Sequence, residues 1–106
     1  MPKLALERWN HETDGAPTEG YFRAILRKAG YEVTRYTYPP GTVFPPHTHD
    51  VDKVDVVLSG RFRMEMVGET AVLESGDSVA VPKGALHSAE VVGHDPVVSL
   101  DAVKIG

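Results

Sequence analysis

Apolar and polar residues alternate strictly along Arg61-Phe62-Arg63-Met64-Glu65-Met66. A period of two is that of an antiparallel strand with one buried and one solvated face. Phe62, Met64 and Met66 are therefore expected to line an interior, and Arg61 and Arg63 to face solvent or a dimer edge. The pattern predicts a strand over 61–67, and similar short runs recur at 53–58, 70–74, 78–81, 86–92 and 97–103. Ser59-Gly60, Gly68-Glu69, Ser75-Gly76-Asp77 and Gly93-His94-Asp95-Pro96 punctuate them. Tyr31–Tyr38 is rich in β-branched and aromatic residues, has no helical stripe, and ends at Pro39-Pro40-Gly41. Short strands at this spacing, joined by Gly/Pro turns, predict an all-β sandwich or barrel.

The period is different before Gly30. Asp14-Gly15-Ala16-Pro17 breaks the chain, and residues 1–17 are mixed and turn-rich. Thr18 is placed to cap a short helix running to about Ala29. Tyr21, Phe22, Ile25, Leu26 and Ala29 fall at helical spacing, and Gly30 stops it. The organisation expected is an N-terminal extension with a short helix over 1–30 and a β-barrel domain over 31–106.

At 106 residues the chain has room for one core and not two. Its net charge of −4, with no basic block, argues against a nucleic-acid partner and against an anionic membrane surface. The absence of cysteine removes disulfides, thiolate ligands and cysteine nucleophiles together, and suits a reducing compartment. No apolar run is long enough for a signal peptide or a membrane span, so a cytoplasmic location is expected.

The chemistry concentrates in two blocks. Gly41, His47, His49 and Gly60 form the first, a glycine, five residues, His-x-His and a closing glycine. Gly76, Pro82, Gly84 and His87 form the second, Gly-x5-Pro-x-Gly-x2-His. His47 and His49 are two apart, so on a strand both imidazoles point to one face. These eight positions, in order, resemble the two motifs of the cupin superfamily, and in particular the small single-domain cupin 2 type barrels.

The resemblance implies an RmlC-like double-stranded β-helix, a jelly-roll barrel. It implies a metal inside, bound by the residues matching His47, His49 and His87 together with a glutamate. It also implies a homodimer. The superfamily includes dioxygenases, isomerases, decarboxylases, sugar-binding proteins and storage proteins, so membership alone does not name a reaction. The chain departs from the motifs twice. Lys53 stands where the glutamate falls, and Val91 where an asparagine often ends the second block.

Neutral imidazoles suit a divalent transition metal such as Zn, Fe, Ni or Mn. An ammonium about 4 Å from such an ion costs on the order of 8 kcal/mol at an effective dielectric of 20. Strand parity points Lys53 inward with the histidines and puts Asp55 on the same face, where an ion pair between the two draws the ammonium off. Asp52 points to the other face. Phe62 and Met64 would form part of a pocket wall. Three neutral histidines, a divalent ion and Lys53 favour a small anion or an enolisable carboxylate, chelating the metal and held by Lys53. Elsewhere, His11, His94 and Lys83 read as solvated, and Trp9, Tyr36 and Tyr38 as packing residues. Two functional readings stay open at this level. One is a metal-binding cupin that binds or acts on a small anionic ligand; the other is a metal-free, non-catalytic module that binds or senses a small ligand.

Overall fold

The computed structural model describes residues 4–105. Among these residues, nine strands and one helix follow in order: β1 (Ala5–Glu7), α1 (Glu19–Lys28), β2 (Tyr31–Tyr38), β3 (Val43–His47), β4 (Lys53–Ser59), β5 (Arg61–Met66), β6 (Glu69–Leu73), β7 (Ser78–Val81), β8 (His87–Val92) and β9 (Val97–Lys104). They form a five-stranded sheet, β1-β7-β4-β9-β2, and a four-stranded sheet, β3-β8-β5-β6. All pairings are antiparallel. This interleaving of strands between two facing sheets is a jelly roll, the all-β architecture expected from the turn spacing.

The expected strands are present, with ends displaced by a residue. β5 stops at Met66 because the hairpin to β6 turns on Val67-Gly68, one residue earlier than the Gly68-Glu69 punctuation suggests. Both turn residues have positive φ, +50° at Val67 and +77° at Gly68. That is the two-residue hairpin turn that asparagine-glycine fills best, and a β-branched residue is strained there. Val67 is also about half exposed, so it recovers little by packing. Val67→Asn is expected to raise stability by about 1 kcal/mol in a denaturant titration; an unchanged or lower midpoint would contradict this.

Two strands are absent from the sequence pattern. β3 runs through Pro45 and Pro46, residues that read as breakers. It is tolerated because β3 is the edge of its sheet, and its register with β8 shifts between Phe44 and His47. β1 is three residues long and lies in the segment read as irregular, yet it pairs with β7.

The core lies between the sheets. Val57, Phe62, Met64, Met66, Leu73, Val79, Val81, Ala89, Val91 and Val97 form one buried cluster. Phe62, Met64 and Met66 are buried and Arg61, Arg63 and Glu65 exposed, as the alternation requires. Val91, at the asparagine position, is part of this core and 2% exposed. The outer face of the five-stranded sheet is covered as well. Phe22 and Leu26 of α1 pack on Val56, Leu100 and Ala102. β4 and β9 are thus apolar on one face against the helix, while their other face looks into the barrel. The helix starts as expected, with the Thr18 side chain accepting the Tyr21 N–H at 3.2 Å. Two of the five residues of its stripe are buried, and Tyr21, Ile25 and Ala29 remain exposed.

Residues ahead of the helix are fastened by Asp77. Its carboxylate accepts from Arg8 at 2.7 Å, from the Trp9 backbone N–H at 3.0 Å and from the Glu74 N–H at 2.9 Å. Trp9 then packs against Tyr21 and Phe22 at 5.6 and 5.3 Å between ring centroids. A side chain at Gly76 would run into Trp9, its Cβ falling 2.5 Å from the Trp9 Cβ. The glycine of the second motif thus permits a close approach.

Candidate metal centre

β3 and β8 pair at one mouth of the barrel, and His47 and His87 are direct cross-strand partners there. Their rings lie 4.2 Å apart between centroids. His49 joins them, with its ring 4.8 Å from His47 and 5.1 Å from His87. The strand argument accounts for only one of the first pair, because β3 ends at His47 and His49 lies in the loop beyond. The chain there still brings both imidazoles together. One ligand atom from each of the three residues lies within 4.8 Å of the others.

The ring nitrogens are sorted by the backbone. His47 Nδ1 is 2.6 Å from the carbonyl of Pro45, and His87 Nδ1 is 2.9 Å from the carbonyl of Ala85. A carbonyl only accepts, so each Nδ1 carries the proton and each Nε2 keeps a free lone pair. Such hydrogen bonds from the non-ligating nitrogen hold metal-ligating histidines in one tautomer. His49 Nε2 is buried with no hydrogen-bond partner. Burial lowers the pKa of His49, helped by the nearby Lys53 charge, and burial likewise lowers that of His87. The neutral, ligating form is therefore favoured at both. A buried ring nitrogen without a partner is costly, and with the proton on Nδ1, as in His47 and His87, a cation is the partner that the His49 Nε2 lone pair lacks. This donor set fits a divalent transition metal.

The histidines open on a cavity of about 150 Å³. Tyr38, Phe44, Phe62, Met64 and Ala89 supply its apolar wall, and Lys53, Asp55, Ser99 and Asp101 its polar side. Tyr38, Phe44 and Phe62 pack edge-to-face or stacked at 4.9 to 6.0 Å. The motif spacing, the jelly roll and this cluster now stand together, and a cupin-domain family model matches residues 34–103.

The chain belongs to the cupin family.

Among its relatives is germin-like protein subfamily 1 member 4 of Arabidopsis thaliana, 30% identical over 73% of this chain and 39% of that protein. The bifunctional lysine-specific demethylase and histidyl-hydroxylase NO66 of Branchiostoma floridae is 38% identical over 54% of this chain and 10% of its own length. This cupin thus spans about two fifths of the first and a tenth of the second. An RmlC-like cupin from Shewanella frigidimarina has the same fold, with a TM-score of 0.63 at 24% identity, over 70% of this chain and 65% of that one.

The cupin's main departure from its motif is resolved by a residue that the sequence pattern did not single out. Lys53 does point inward, with 10% of its side chain exposed. Its ammonium is held by Asp101 on β9, 3.0 Å from Oδ1 and donating to Oδ2 at 3.1 Å. The partner expected from parity along β4 was Asp55, and that expectation is corrected. Asp55 lies in the same cavity, directly across from Asp101 in the β4–β9 register. Lys53 reaches diagonally to the neighbouring strand, a contact available on one face of an antiparallel pair. The one local signal for Asp101 is an acid alternating with Val97 and Ser99 between the apolar Leu100 and Ala102.

Burial pushes the Asp55 carboxyl up to about 6, with Lys53 opposing and Asp101 reinforcing the rise. Burial also pushes the Tyr38 hydroxyl up to about 12, aided by the charges of Asp101 and Asp55. Tyr38 is therefore both a packing residue and a neutral hydroxyl at the cavity wall. Asp52 lies outside the cavity and accepts the Lys83 N–H at 2.8 Å. His94 is exposed, and exposed His11 has its Nε2 3.0 Å from the Ser75 carbonyl. Tyr36 is 44% exposed and stacks on Tyr38.

Proposed function

We propose that this cupin binds one divalent transition metal through His47, His49 and His87 and uses it to hold a small anionic organic ligand in the barrel. One observation carries the reading. Two imidazoles have their Nδ1 protons fixed on backbone carbonyls, and the third has a buried Nε2 without a partner, all within one cluster. When bound, such an ion supplies Lewis acidity toward a coordinated oxygen. The chain's own residues do the rest. Lys53, steadied by Asp101, offers ammonium donors to an oxyanion of the ligand. Asp55, its carboxyl pushed up to about 6 by burial, can take or give a proton near neutral pH. Tyr38, Phe44, Phe62 and Met64 exclude water from the ligand's apolar part. A hydroxylase among the relatives supports a site that processes its ligand.

The pH dependence follows from the lowered histidine pKa values. A protonated imidazole cannot ligate, and burial delays that protonation at His49 and His87. Zinc uptake in equilibrium dialysis is expected to hold through the ordinary imidazole range near pH 6.5 and to fall only below it. Half-loss above that range would contradict the environment assigned to these rings.

We also infer a homodimer. β2 is an eight-residue strand at the edge of its sheet, paired on one side with β9 and touched on the other by Arg23, which donates to the Val33 carbonyl at 3.2 Å; the rest of such an edge is a template for a second chain. Light scattering is expected to give about 23 kDa, twice the 11.5 kDa chain, and a monomer mass at all concentrations would end the idea.

A further inference from the structure

The charges around the cavity set the charge of what enters it. The polar side holds one fixed cation, Lys53, and two carboxylates, Asp101 and Asp55. Asp101 and Asp55 are cross-strand partners, so both look into the barrel from adjacent strands. Two units from a divalent ion and one from Lys53, set against one from each aspartate, leave a single positive charge. The histidines add nothing while neutral. Without Asp101 the balance would be larger and would suit a dianion. With it, a second ligand charge meets an excess of negative charge in a partly desolvated space, where unbalanced charge is expensive.

The cavity's size and lining limit the ligand further. It is about 150 Å³, well under the several hundred cubic ångströms of a drug-sized site. Phe44, Phe62 and Met64 lie on its apolar side. Resting on the metal reading above, the structure assigns this site to a short monocarboxylate, its carboxylate between the metal and Lys53 and its apolar body against Phe44, Phe62 and Met64. Asp55 and Asp101 are the residues that set the preference for one negative charge over two.

The test compares three four-carbon probes on zinc-loaded protein at pH 8, where Asp55 is ionised: butanamide, butanoate and butanedioate. Metal content is measured in the same samples. Butanoate is expected to bind at least about 10-fold more tightly than either of the others. Asp55→Asn removes one negative charge and is expected to move the butanedioate-to-butanoate ratio about 10-fold or more toward the dianion. Asp101→Asn is expected to move it the same way, and gives a second reading should the first variant fold poorly. One zinc per chain with butanedioate preferred, or with an unmoved ratio in both variants, overturns this inference alone. Protein that takes up no zinc overturns the metal reading and this inference with it.

Discussion

Replacing His47 and His49 together with alanine is expected to abolish stoichiometric metal binding while leaving the protein folded. Loss of a single group that hydrogen-bonds a ligand typically weakens a metal site roughly 10- to 100-fold, so loss of two of three ligands should exceed about 10³-fold. The fold should tolerate the change. Neither residue is in the buried core, and His49 carries a buried nitrogen without a partner, which costs the metal-free protein something. Stability without metal is expected to move by less than about 1 kcal/mol. Elemental analysis checks the first effect. Thermal melts with and without added zinc check both, because a ligand that binds only the native state raises its melting temperature. The wild type should show that rise and the variant should not. Metal retained at wild-type stoichiometry would refute the assignment.

The largest effect on stability is expected at Asp77. This carboxylate is 6% exposed and gathers three donors, two from the segment ahead of the helix and one from the turn before β7. Asp77→Ala leaves the Trp9 and Glu74 amides and the Arg8 guanidinium without their acceptor. Buried hydrogen bonds to a charged group are worth roughly 1.5–3 kcal/mol each. Arg8 is half exposed and can turn to water, which discounts its share. A total loss of about 3 kcal/mol follows, lowering the melting temperature by roughly 10–20 °C for a domain of this size. The chain's one tryptophan reports the cause. Trp9 packs on Tyr21 and Phe22 only while its backbone is held, so its emission should shift to the red before the barrel melts. Arg8→Ala should cost far less. Equal losses for both variants would show that the backbone amides are not the important partners.

The parts of the fold legible in the sequence are those whose cause is local. A period of two along Arg61–Met66, a cap at Thr18 and glycines at the turns each act within a few residues, and the strands and helix follow. β3 was hidden because Pro45 and Pro46 oppose a strand locally, while its edge position, which permits them, is a tertiary fact. β1 was hidden because three residues carry too little pattern and rest on pairing with β7. The same division runs through the candidate site. His47, His49 and His87 could be named from spacing, as could the inward turn of Lys53. Its partner could not, since parity within β4 selects Asp55 while the contact is made by Asp101, 48 residues along the chain, once β9 lies beside β4. The consequence is functional: a divalent ion, Lys53 and Asp55 alone leave two positive charges, and Asp101 brings the excess to one.

Anomalous diffraction from crystals grown with a divalent transition metal, collected on both sides of its absorption edge, tests the central claim most directly. The account predicts a single strong peak per chain, bonded at about 2.1 Å to Nε2 of His47, His49 and His87, with the Lys53 ammonium still on Asp101. No peak at the three imidazoles, or a peak held by Asp55 and Asp101 instead, would contradict it.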